Sequence, residues 1–345
     1  MNKLDQRSLR KQVAPFEKSN LKASVLQLCN TLIPYLGLWV LAYYSLNISY
    51  LLTLVIGVVA AGFLVRIFII FHDCCHHSFF KNRTANKIVG TITGILTLFP
   101  YSKWGHDHSV HHATSSNLDK RGTGDIWVMT VEEYLEASAW KRLCYRVYRN
   151  PFVMFILGPI FVFLIENRFN RKKAKKKERW NTYITNLGII TLAVIVSLII
   201  GWQAFLIVQG TIFMVSGIAG VWLFYVQHTF EDSYFEEDEH WEYVKAAVEG
   251  SSFYKLPKPL QWITGNIGYH HVHHLSPRVP NYKLEEVHNQ TEPLQKVPTI
   301  TLKTSLKSLK FRLWDEEEKV FVGYGKIKEM VAEQKEIKKI PSLEK

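Results

Sequence analysis

The chain has only four cysteines in 345 residues. Cys29, Cys74, Cys75 and Cys144 follow no framework spacing, which excludes a disulfide-stapled secreted domain and reads as reduced thiols on a cytosolic face. There is no glycine-rich phosphate loop, so nothing points to a nucleotide, and no internal repeat, which excludes a solenoid. The segment Met1 to Lys22 is polar and basic, and no short apolar run with a cleavage site follows it. No removable signal peptide is expected. Charge of one sign is in excess, at a formal +12. The basic residues cluster beside apolar runs, which suits a membrane surface and argues against nucleic acid.

Long apolar runs are what the chain has in quantity. Four reach spanning length: Leu28 to about Leu46, Leu51 to Phe71, Asn186 to Ile200 with its flanks, and Gln203 to Tyr225. Residues 1–27 before them read as a basic arm on the membrane surface. Arg66 is the one charge in the second span, placed to snorkel toward the interface. Two further runs, 88–100 and 151–166, are too short to cross and read as re-entrant or interfacial, the second bending at Gly158-Pro159. The densest positive block, Arg171 to Arg179, marks its side as cytoplasmic and reads as a topology anchor. Residues 126–150 look like soluble helix, and 316–345 like a charged helical tail. The fold class is an all-α integral membrane protein with a cytoplasmic helical cap and both termini cytoplasmic.

Histidines gather where the spans end. On a helix, His108, His111 and His112 stand at i, i+3 and i+4, which puts three imidazoles on one face. His270, His273 and His274 repeat that spacing, and His72 and His76 stand at i and i+4. Imidazole is the commonest protein ligand for transition metals. Eight convergent imidazoles exceed the need of one ion, so two metals are expected, with His228 at the end of the fourth span as an additional ligand. Cys74 and Cys75 lie inside the first cluster, but histidine already oversupplies it. His77 directly follows His76, so a His72–His77 pairing stays open, and His106 could exchange with His108. Surface or supporting roles are preferred for both, since His106 is about 200° of helical phase from His108. Asp73 and Asp107 could orient ligand imidazoles through the second ring nitrogen, or simply be solvated. A midplane ion site of the transporter kind is not indicated, and the spans lack the polar path of a metal carrier.

The strings His72-Asp-Cys-Cys-His76, His108-Ser-Val-His-His112 and His270-His-Val-His-His274 resemble the three histidine boxes of the membrane fatty acid desaturases. The resemblance runs from the first span to about Trp314, so residues 28–315 would form the desaturase domain. The blocks His111 to Asp125 and His273 to Tyr282 are most similar to bacterial delta-5 acyl-lipid desaturases. That resemblance implies two non-haem iron ions, molecular oxygen as co-substrate, and electrons from ferredoxin or flavodoxin. It implies a substrate acyl chain esterified to a membrane phospholipid, and a place in the bacterial inner membrane. A di-iron hydroxylase on the same scaffold is the alternative.

Overall fold

The computed structural model describes residues 3–337, the rest of the expected tail (338–345) lying outside them. Among the described residues, four helices are long and apolar enough to cross a membrane. They are α2 (Leu21–Ser45), α3 (Tyr50–Cys75), α9 (Lys176–Ile200) and α10 (Trp202–His228), α1 being Lys3–Val13 and the intervening ones named below. Their surfaces are those of lipid-facing helices: Leu198 is 81% and Ile199 75% exposed, an arrangement water would not tolerate over a whole helix face. Polar side chains start α2 and α3. Asn20 accepts from the Ala23 N–H at 3.0 Å and Ser49 caps α3 at Leu52, satisfying donors that a helix leaves free at its N-terminus.

Helix α3 is the axis of the bundle and packs on α2, α10 and α4 (Arg83–Thr97). Small residues permit the approach: a Cβ on Gly57 would meet Thr211 at 2.9 Å, the close packing expected of small faces in membrane helices. After α4, Leu98 takes a left-handed conformation (φ 66°). The chain then enters α5 (Tyr101–Thr114), which returns the second histidine stretch to the end of α3. Tyr101 donates to the Cys74 carbonyl at 2.9 Å and fixes that junction.

Several sequence expectations change. The first span begins at Leu21, inside the stretch read as an arm. Helix α1 does not lie on the lipid surface: Leu9 and Val13 are buried against Val244, Val272, Leu275 and Val279 of the cap. Arg66 does not snorkel. It is buried, donates to Thr31 Oγ1 at 3.1 Å and to the Trp262 carbonyl, and stacks on the Trp262 ring at 4.0 Å. The neighbouring helix α12 (Lys258–Ile263) supplies both Trp262 contacts, so the cation is satisfied in place. The bend in the second short run is also displaced. Helix α7 (Ala139–Tyr148) and the segment Val153–Arg168 meet at 64°, before a π-helical turn Val153–Leu157 that leads into α8 (Gly158–Leu164). Pro159 sits in the first turn of α8, where a missing N–H costs nothing.

Five short strands were not expected. β1 (Met129–Thr130), which precedes α6 (Val131–Glu136), pairs parallel with β4 (Leu313–Asp315). β4 pairs antiparallel with β5 (Val320–Val322). β2 (Phe253–Lys255) pairs with β3 (Thr299–Thr301). Phe321 is buried beside Trp314, so the stretch read as a peripheral tail begins inside the cap.

The guanidinium of Arg171 pairs with Asp107 of α5 at 2.9 Å, which ties the basic block to the helix of the second histidine stretch. Reporters inserted after Asn117 and after Lys175 should therefore report the same side of the membrane. Opposite signals would break this topology.

Candidate metal centre

Four elements deliver nine imidazoles to one place. Helix α3 ends in His72 and is capped by His76, α5 carries His108, His111 and His112, and α10 ends in His228. The short helix α13 (His270–Leu275) carries His270, His273 and His274. Its approach is set by Gly265, whose φ of 56° is open to glycine and whose Cβ would meet Ile69 of α3 at 2.8 Å.

The nine fall into two groups. Nitrogens of His72, His76, His108, His112 and His273 lie within 4.8 Å of one another, as do those of His111, His228 and His274. His270 joins the second group, its Nε2 standing 3.0 Å from His228 Nε2 and 3.2 Å from His274 Nε2. In the first group His112 Nε2 is 3.1 Å from His108 Nε2 and 2.9 Å from His273 Nε2.

These spacings fit metal coordination better than hydrogen bonding. Two nitrogens bound at right angles to one ion, each about 2.1 Å away, are about 3 Å apart. A ring nitrogen carries at most one hydrogen, yet His112 Nε2 and His270 Nε2 each face two others. His76 Nε2 and His111 Nε2 are buried with no hydrogen-bond partner among the described residues, an orphaning that an ion would relieve. Burial, then the neighbouring imidazoles, hold His108, His273 and His274 well below the usual histidine pKa. Neutral imidazole is the ligating form. An all-imidazole donor set of this size fits two transition ions.

The second ring nitrogens are held from outside. His72 Nδ1 meets Asp73 Oδ1 at 3.1 Å, and Asp73 Oδ2 accepts from the backbone and side chain of Asn281 at 2.7 and 2.8 Å. His111 Nδ1 meets Asp125 Oδ1 at 2.5 Å, and His228 Nδ1 faces the Gly250 carbonyl at 3.2 Å. Asp73 thus has the orienting contact expected of it. Asp107 does not, since it pairs with Arg171. Asp125 was missed. It arrives on a loop that crosses α5 at Gly124, whose φ is 76° and whose Cβ would stand 3.1 Å from both the Asp107 carbonyl and His111 Cβ. The glycine–threonine–glycine–aspartate order at the end of that loop was the available signal.

His77 and His106 are brought to the surface, His77 in a left-handed conformation (φ 56°) just past the helix. His271 is fully buried outside the cluster and pairs with His288 at 3.1 Å. Cys74 and Cys75 pack behind α3, the Cys75 thiol toward the Tyr101 carbonyl. On the membrane side Trp104 stacks on His108 (4.3 Å, 22°) and joins Phe68, Phe71 and Phe99 in an aromatic wall. Away from it, a narrow cleft reaches His111 and His228 past Ser115, Asp125, Phe224 and Thr229.

Fold and site together define a multi-pass membrane protein whose helices end in a metal-binding histidine cluster. The family model for fatty acid desaturases matches residues 45–301, and the chain belongs to that family, a class of oxidoreductases. It is 70% identical over 323 residues to a fatty acid desaturase of Bacillus subtilis (strain 168), covering 94% of this chain and 92% of that one. An sn-1 oleoyl-lipid 12-desaturase of Synechocystis is 28% identical, covering 79% of this chain and 76% of its own. The sn-1 acyl-lipid omega-3 desaturase (ferredoxin) of the same organism is 25% identical over 66% of this chain and 64% of its own.

Alanine at any of the nine clustered histidines should abolish activity and lower bound metal, whereas H77A, H106A and H240A should keep both. D73A and D125A should lose about 10–100-fold in metal affinity or activity. Metal analysis beside turnover checks this, and a fully active H111A would remove His111 from the set.

Proposed function

We propose that this chain introduces a cis double bond into acyl chains of membrane phospholipids at a pair of non-haem iron ions, with molecular oxygen as co-substrate. The observation that carries the reading is the split of nine clustered imidazoles into groups of five and four, at the ends of spans and against an aromatic wall around Trp104. An apolar substrate needs no aqueous transfer to reach such a site. The methylene C–H bonds to be broken are strong and unpolarised, beyond the reach of an acid or base side chain, so the hard chemistry falls to a cofactor. Zinc has no redox chemistry, whereas iron accepts imidazole and supplies oxygen activation.

The protein's own residues do the positioning. His72, His111 and His228 have one nitrogen engaged by Asp73, Asp125 and the Gly250 carbonyl, so each presents the other inward. Trp104 limits the tilt of His108 by stacking. The length of acyl chain between the headgroup and the centre would select the carbon pair, because reactivity requires the chain to be held at contact distance. We assign delta-5 selectivity on the histidine blocks 111–125 and 273–282. The side carrying the basic block is assigned to the cytoplasm, at the bacterial inner membrane. The electron donor is assigned to the ferredoxin or flavodoxin class, in line with the donor in the printed name of the Synechocystis omega-3 enzyme.

Expression in a host lacking unsaturated lipids should yield phospholipids with a double bond at carbon 5, and purified active protein should hold about two iron atoms per chain. Hydroxylated acyl chains, or zinc in place of iron in active protein, would overturn the reading.

A further inference from the structure

Desaturation consumes more than oxygen and a lipid. The balance is –CH2–CH2– plus O2, two electrons and two protons, giving –CH=CH– and two waters. Two C–H bonds break, the carbon pair loses two electrons, and O2 takes those and two more. The second pair must come from an external reductant, and it must enter where a carrier can approach the centre.

One surface meets that condition. The segment preceding and opening α9 carries Lys172, Lys173, Lys175, Lys176 and Lys177, all exposed, and none is ion-paired among the described residues. The loop is held rather than loose. Arg179 donates to the carbonyls of Ala174 and Lys172 at 3.0 and 2.8 Å, and Arg171 bridges Asp107 and Glu178 at 2.9 and 2.8 Å. It also abuts the centre. Asp107 immediately precedes His108, and Lys177 with Arg83 places positive charge at the exposed His77, one residue from His76. The loop 231–239 is the reverse in sign, with Asp232, Glu237 and Glu239 exposed beside Glu231, which Lys307 pairs.

We propose that this lysine platform is the docking surface for an acidic one-electron carrier protein, which delivers electrons at the His76–His108 edge of the five-histidine group. The inference rests on the desaturase reading above. A topology anchor needs positive charge near the lipid but has no use for a rigid, unpaired lysine surface tied by Arg171 to the helix of His108. Charge complementarity of this kind raises association rates by roughly 10–1000-fold and is lost as salt screens it.

The test uses the full-length, iron-loaded protein in vesicles, with reduced acidic ferredoxin as probe and a small uncharged mediator as the control reductant. A variant with Lys172, Lys173, Lys176 and Lys177 changed to Gln should raise the KM for ferredoxin roughly ten-fold at low salt. Its turnover with the mediator should stay at the wild-type level. The same four positions changed to Arg should restore the KM, and about 0.5 M salt should erase the difference. An unchanged KM overturns the proposal, as does an equal loss with both reductants, which would mark a folding or insertion defect. Dependence on the anionic lipid content of the vesicle in place of carrier concentration would make the block a membrane anchor, and also overturns it. Wild-type protein that turns over with the mediator but never with ferredoxin overturns the docking surface alone, whereas one that desaturates with neither overturns the reading beneath it.

Discussion

Nine imidazoles crowded into two groups, with several ring nitrogens about 3 Å apart and too few protons to bridge them, are the constraint on which this structure depends. Left without metal they are orphaned polar atoms in a dry place, a condition that costs free energy at each site. The fold tolerates it because outside groups fix the rings. Asp73 is itself held by Asn281, Asp125 by the Gly122 N–H, and the Gly250 carbonyl belongs to the cap. The carboxylate on His72 is its own neighbour Asp73, yet Asp73 is held in turn from Asn281, while Asp125 and Gly250 reach His111 and His228 from later segments, so the centre depends on the tertiary structure around it.

The boundary between lipid and water explains the rest of the arrangement. Helices α3 and α10 must leave the bilayer before they present polar rings, and each does so in its last turn. Arg66 and Trp262 sit at this level as a stacked pair, which lets α12 lie against α3 without exposing the charge to hydrocarbon. The aromatic wall around Trp104 closes the lipid side of the first group, while the cleft past Asp125 leaves the second group open toward the cap.

What the sequence made legible was whatever repeats with helical period. Two histidine strings at i, i+3 and i+4 and a third at i and i+4 declared one face each, and four apolar runs declared the spans. His228 was placed by counting residues to the end of a span. Contacts made by loops carried no period. Asp125 reaches His111 across a glycine turn, and Asp107, two residues from an equally good position, is drawn off by Arg171. Strands of two or three residues are too short for alternation to show. The bend before Val153 escaped notice because Gly-Pro looked like the stronger break, although a proline in a first helical turn disturbs nothing. Arg66 was misread since one of its partners, Trp262, arrives 196 positions later.

The seating of α1 on the cap has a consequence for synthesis. Leu9 and Val13 rest on Val272 and Leu275, residues within or beside the last histidine string. Helix α1 therefore has no partner until the segment around Val272, far later in the chain, has emerged. Contacts of such sequence separation form slowly. The histidine cluster is completed only after α13 has emerged, later than all four spans, and a metal ion taken up earlier would meet an incomplete set of imidazoles. Late closure makes assembly of the second group, two of whose four histidines lie on α13, a step that follows the spans.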